Sequence, residues 1–154
     1  MLDISISSHV FSSGFDIKTP AGIFSAKSVL LSPTGEIHIL DASGSQIARV
    51  KMESVFSSIY NIILTGGGFY QFRRERISSQ TWTCNGEGKL FRISEVSNRR
   101  FRVADEDLEI ADGSKSLLSN DYEVRVFNDA DLKLVMCVFI ALSLLEHQDI
   151  YIPV

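Results

Sequence analysis

The sequence predicts a mostly β (α+β) domain, a closed or nearly closed antiparallel barrel around a hydrophobic C-terminal helix. Three observations carry this prediction. Short strand-like runs separated by turn residues fill residues 22–128. One long apolar segment without Gly or Pro follows them. That segment has no polar stripe, so it must be enclosed on every side.

At 154 residues the chain has the length of one domain, expected to span 1–154 with its core at about 22–148. A domain of this size buries about 70% of its unfolded surface and needs no disulfide or metal to hold it. The 45% apolar and 22% charged content is that of a globular protein.

Eleven runs read as strands: Gly22–Ala26, Ser28–Ser32, Glu36–Asp41, Gln46–Met52, Ser57–Leu64, Phe69–Arg74, Gln80–Cys84, Lys89–Glu95, Arg100–Val103, Asp107–Ala111 and Tyr122–Phe127. They are rich in Ile, Val, Phe, Tyr and Thr, and several alternate strictly between apolar and polar residues. Between them stand SPTGE, DASGS, NGEG and ADGS, combinations of fixed-φ Pro, turn-forming Asp, Asn and Ser, and Gly that tolerates positive φ. Turns about every ten residues indicate antiparallel hairpins, because parallel sheets need helical crossovers.

The pattern changes at Asn128. Asn128, Asp129 and Asp131 suit the start of a helix, where side-chain oxygens cap free N–H groups and negative charge meets the dipole. The spacing predicts a helix over about 130–146. Val135, Cys137, Val138, Phe139 and Ile140 are weak helix formers, but the segment is too long for one strand. Its only polar residues between Leu132 and Leu145 are Lys133 and Ser143. The longest apolar run, Leu134–Leu142, has nine residues, short of the roughly 20 that span a bilayer. It is therefore expected as the barrel's axis and not as a membrane anchor.

Three stretches carry a family resemblance. EIHILDASGSQIARVKM is a strand, a D-x-x-G turn and a second strand. FYQFRRERISSQTWTC is a basic strand end leading through a polar turn to Trp82. The third is the unbroken apolar helix. Together they resemble the tubby C-terminal-like superfamily, which includes tubby proteins, phospholipid scramblases and the LURP-one-related proteins of plants. The resemblance implies a twelve-stranded barrel around a central helix. It also implies a non-catalytic binding module for anionic lipid or phosphoinositide head groups, with a protein-interaction scaffold as the alternative.

Catalysis finds no constellation in the sequence. His9, His38 and His147 are scattered, and none accompanies a Ser or Cys in nucleophile context. No Cys/His spacing suits a metal, and Gly66–Gly68 lacks the Lys-Ser/Thr of a phosphate loop. The acidic residues at 105–112 lack the spacing of a calcium loop. No cofactor, metal or disulfide is expected. Cys84 and Cys137 read as reduced thiols, as in a cytoplasmic protein, and the N-terminus lacks the basic and apolar regions of a signal peptide.

Charge is unevenly placed. Residues 73–102 hold eight basic groups against Glu75, Glu87 and Glu95, while 103–131 hold nine acidic groups against Lys115 and Arg125. The net charge of −4 and the absence of an aromatic–basic strand motif argue against nucleic acid as partner. Alternation turns Arg100 and Arg102 outward, free either to bind an anion or to pair with the acidic segment. Arg49 and Lys51 also share a strand face. They match, in reversed order, the Lys-x-Arg pair with which tubby proteins contact phosphoinositides. Arg49, Lys51, Arg100 and Arg102 are thus the candidate anion-binding residues, with a plain solvated barrel face as the alternative.

Overall fold

The computed structural model describes residues 1–8, 14–28, 35–54, 58–75 and 80–151, with side chains through residue 145. Its strands are β1 (Leu2–Ser8), β2 (Gly14–Thr19), β3 (Gly22–Ser28), β4 (Ile37–Leu40), β5 (Gln46–Met52) and β6 (Tyr60–Leu64). These are followed by β7 (Phe69–Arg74), β8 (Thr81–Gly86), β9 (Lys89–Ser97), β10 (Arg100–Asp105), β11 (Leu108–Lys115) and β12 (Tyr122–Val126). A 3-10 turn at Asp129–Asp131 leads into α1 (Leu132–Tyr151). Each strand pairs antiparallel with its sequence neighbours, and β1 pairs with β12, which closes a twelve-stranded barrel. Closure leaves no exposed sheet edge.

The predicted class is therefore observed, with two strands, β1 and β2, ahead of the runs read from Gly22 onward. In β1, Ile4 and Ile6 are buried, and in β2, Phe15 and Ile17, so the barrel begins at Leu2. Of the run Ser28–Ser32, Ser28 ends β3 and residues 29–32 lie outside the described residues. β3 pairs directly with β4 in the barrel.

The helix begins two residues later than expected and runs further. Asn128 is extended, and its side chain accepts from the Ala130 N–H at 3.0 Å, capping the 3-10 turn that precedes α1. Every residue from Leu134 to Ser143 is buried, as an all-round apolar helix requires. α1 packs most closely on β5, β6 and β12. Small inward residues, Ala48 on β5 and Gly113 on β11, help make room for it. The larger Phe72, Trp82, Phe91 and Phe101 fill the lumen along β7–β10.

Phe139 is the helix's largest contribution to this packing. Its ring stands edge-on to Phe101 and Tyr122, with centroids at 6.5 and 5.4 Å, geometries that favour aromatic pairs. A Cβ on Gly113 would lie 2.7 Å from the Phe139 ring. Gly113→Ala should therefore destabilise the domain by about 1–3 kcal/mol, read as a lower urea midpoint. Ile140→Asp places an unpaired carboxylate at a fully buried position and should cost several kcal/mol. Loss of cooperative unfolding in thermal melts is the expected outcome.

Candidate anion-binding face

Twelve strands place every second side chain outside, and register decides which outward residues become neighbours. Inward Ala48, Val50 and Met52 leave Arg49 and Lys51 outward on β5. Inward Ile37 and Ile39 likewise turn His38 outward on β4, as alternation predicts. Register sets Lys27 of β3 opposite His38, and His38 opposite Arg49. Lys51 stands one outward position along β5, opposite Asn61, whose side-chain oxygen accepts from Gln71 Nε2 at 3.3 Å.

The carboxylate in this group is Glu36. Its Oε1 accepts from Arg49 Nη1 at 3.2 Å and lies 3.3 Å from His38 Nε2. Arg49 keeps 37% of its side chain exposed, so the pair is open to solvent and contributes at most about 1 kcal/mol to stability. Lys51 makes no ion pair among the described residues and is half-buried. Arg49 and Lys51 are thus neighbours on one face, as expected from sequence.

Arg100 and Arg102 lie elsewhere. Five strand steps separate β10 from β5 in a ring of twelve, so the two arginine-bearing pairs do not form one site. Arg102 faces the acidic segment, with Nε 3.5 Å from Glu109 and Asp112 opposite it in register. The row continues with Arg125 opposite Asp112, and Asp3 opposite Arg125 at 3.3 Å. A shallow recess of 390 Å³ on this face is lined by Arg100 and Arg125 and by Asp3, Asp112 and Glu123. Its alternating charges compensate one another across strands, which is how such rows stabilise a sheet.

Side-chain hydrogen bonds hold the first of the two hairpins singled out in the sequence. In the β4–β5 turn the Asp41 carboxylate accepts from Ser43 N, Ser43 Oγ and Ser45 N, and Gly44 adopts φ +86°. The bond from the Ser43 hydroxyl, chiefly, holds the Asp41 carboxyl below its ordinary range. In the second hairpin Arg74 lies over Trp82, 5.6 Å from the ring centroid, while residues 76–79 are outside the described residues. Gly66, Gly67 and Gly68 all take positive φ and join β6 to β7. Such a backbone favours glycine and needs no phosphate to explain it.

The lumen offers apolar packing in place of reactive groups. Cys84 and Cys137 are both buried free thiols, and burial pushes Cys84 up to about 12 and Cys137 higher still. Tyr60 is pushed up to about 12 by the same cause. Among the described residues no group of three or more His, Cys, Asp or Glu side chains could hold a metal ion. No helix among them is long and apolar enough to cross a membrane.

A model of the family described as LURP-one-related matches residues 2–143 of this chain. Among solved structures, an X-ray structure of a protein from Arabidopsis thaliana is similar, with a TM-score of 0.68. The likeness covers 96% of this chain and 91% of that one at 15% identity, which speaks for the fold alone. No curated protein matches the chain.

The buried thiols give a measurable prediction. Native protein should resist thiol reagents, and the unfolded, non-reduced chain should release two free thiols. Above about pH 9 the unfolded thiols lose protons that the folded ones keep. The folded state then binds more protons, so stability falls as pH rises from about 9 toward 12. Each thiol contributes at most about 1.4 kcal/mol per pH unit to that fall. The urea midpoint should be lower at pH 10 than at pH 8, and the drop smaller in Cys84→Ala/Cys137→Ala.

Proposed function

The chain belongs to the LURP-one-related family, and from that premise we propose that it is a non-catalytic, cytoplasmic binding module for an anionic head group, a phosphoinositide or another anionic lipid. The observation that carries this reading is the shared outward face of Arg49 and Lys51 on a rigid strand. A guanidinium and an ammonium side by side can meet two oxygens of one phosphate group or two neighbouring phosphates. The Glu36 contact holds the Arg49 guanidinium in place and is weak enough to yield to a phosphate. The absence of a catalytic reading rests on a lumen packed with apolar side chains and on thiols held protonated by burial.

Magnitude shapes the reading further. A basic residue near an anionic membrane is worth about 1 kcal/mol, so the pair supplies about 2 kcal/mol. That is too little to hold a protein of net charge −4 on a membrane by charge alone. Binding therefore depends on a polyvalent head group and weakens as salt screens the contact.

A second reading, a protein-interaction scaffold without lipid ligand, draws on Leu117 and Leu118. These stand 70% and 93% exposed in the turn between β11 and β12. Large exposed apolar groups at a loop tip suit a partner surface.

Co-sedimentation with phosphatidylcholine vesicles, with and without phosphoinositide, separates the readings. Wild type should sediment with phosphoinositide vesicles at low salt, and Arg49→Ala/Lys51→Ala should bind roughly thirtyfold more weakly. Wild type that ignores every anionic vesicle would leave the scaffold reading in its place. Equal binding by both proteins would move the lipid site off this face.

A further inference from the structure

The pair on β5 is part of a larger row. Lys27, His38 and Arg49 stand directly opposite one another on three adjacent strands, with Lys51 at the next outward position. Cationic groups in direct cross-strand register are unfavourable unless something negative lies among them. Glu36 serves His38 and Arg49 together, through one oxygen. One carboxylate oxygen shared by two donors leaves both with unused hydrogen-bonding capacity toward an incoming anion.

Charged groups surround His38. On its own strand segment it faces Glu36. From β3 it faces Lys27, and from β5 it faces Arg49 and, diagonally, Lys51. Further out, Glu53 follows Lys51, and Asp16 of β2 lies diagonal to Lys27, opposite Ser25. Three permanent cations thus meet three carboxylates, and the group is balanced while the imidazole is neutral. Protonating His38 makes it positive. Imidazole is the side chain that changes charge between about pH 5 and 8.

We infer that Lys27 and His38 complete the anion site of Arg49 and Lys51, and that this site takes a polyvalent phosphate most tightly when His38 is protonated. The inference rests on the anion-binding reading of Arg49 and Lys51. The phosphate draws Arg49 away from Glu36, whose Oε1 then serves the imidazolium. Linkage makes the effect reciprocal, so binding the phosphate near neutral pH takes up a proton. The face is a phosphate site whose occupancy follows acidification, and an inositol polyphosphate or a phosphoinositide head group supplies the same chemistry.

Titration calorimetry with inositol hexakisphosphate, and vesicle co-sedimentation with and without phosphatidylinositol bisphosphate, test this at pH 5.5 and 7.5. Phosphate groups themselves gain protons over this interval, so the reference is His38→Gln, which keeps the ligand's own titration. Relative to that variant, wild type should gain about fivefold in affinity at pH 5.5, one cationic side chain's contribution. His38→Lys should bind at pH 7.5 with that gain already present, and Lys27→Ala should lose about fivefold at both pH values. In buffers of different ionisation enthalpy, wild type should take up more protons per ligand bound than His38→Gln. Melting curves check that each variant is folded. Binding to the soluble phosphate identifies a free ligand as sufficient, and binding to vesicles alone identifies the lipid head group. Either supports the inference if the His38 dependence is present.

Two results would overturn it, and they differ. If both probes bind and Arg49→Ala/Lys51→Ala abolishes binding, but His38→Gln shares wild type's pH dependence, the histidine role is wrong and the basic pair stands. If neither probe binds wild type at either pH, the anion-binding reading fails and takes this inference with it.

Discussion

A helix without a polar side cannot rest at a surface, and a sheet of twelve strands cannot close over side chains alone. Each of these problems is solved by the other. Eight strands enclose about as much space as side chains can fill, and twelve enclose considerably more. An α-helix with its side chains is about 10–12 Å across, a suitable filling for the wider lumen. Here α1 is buried from Leu134 to Ser143. The fit is uneven, with close backbone approach at β5, β6 and β12 and large aromatic rings along β7–β10. Gly113 marks how tight it is, since a single methyl group there would strike Phe139.

Filling the lumen this way decides where function can reside. Interior groups that could react, the two thiols and Tyr60, are held protonated by burial. On the outer face, hydrogen-bonded register decides which charges meet. Around β10, β11, β12 and β1 the rows alternate in sign, Arg102, Asp112, Arg125 and Asp3, and compensate one another. Around β3, β4 and β5, Lys27, His38 and Arg49 face one another across the strands, and Glu36 serves the last two. The same alternation that builds the barrel thus produces one face where charges alternate in sign across strands and one where basic residues stand in register.

Much of the fold was legible in the sequence, because the helix has a pattern only an enclosure can satisfy and most strands alternate between turn signals. The start of the barrel was not read, although Ile4 and Ile6 alternate with serines, and Phe15 and Ile17 with polar residues. What joins them to the barrel is long-range pairing of β1 with β12, which no local pattern encodes. The site was legible in part for the same reason. Alternation turned Arg49, Lys51, Arg100 and Arg102 outward, but register placed the two pairs five strands apart. Register also brought in Lys27, Glu36 and His38, which lie 22, 13 and 11 residues from Arg49 in sequence. Pairing between strands supplies information that spacing along the chain does not.

The central claim is that helix and barrel are one cooperative unit. Native-state hydrogen exchange across α1 and the strands tests it most directly, because it reports the opening free energy of each amide. The account predicts that the amides of residues 134–145 exchange only through global unfolding. Their opening free energy should equal that of the best-protected amides of β5, β6 and β12. Exchange of the helix through a smaller opening, with the strands still protected, would show a barrel that stands without its axis and would contradict the account.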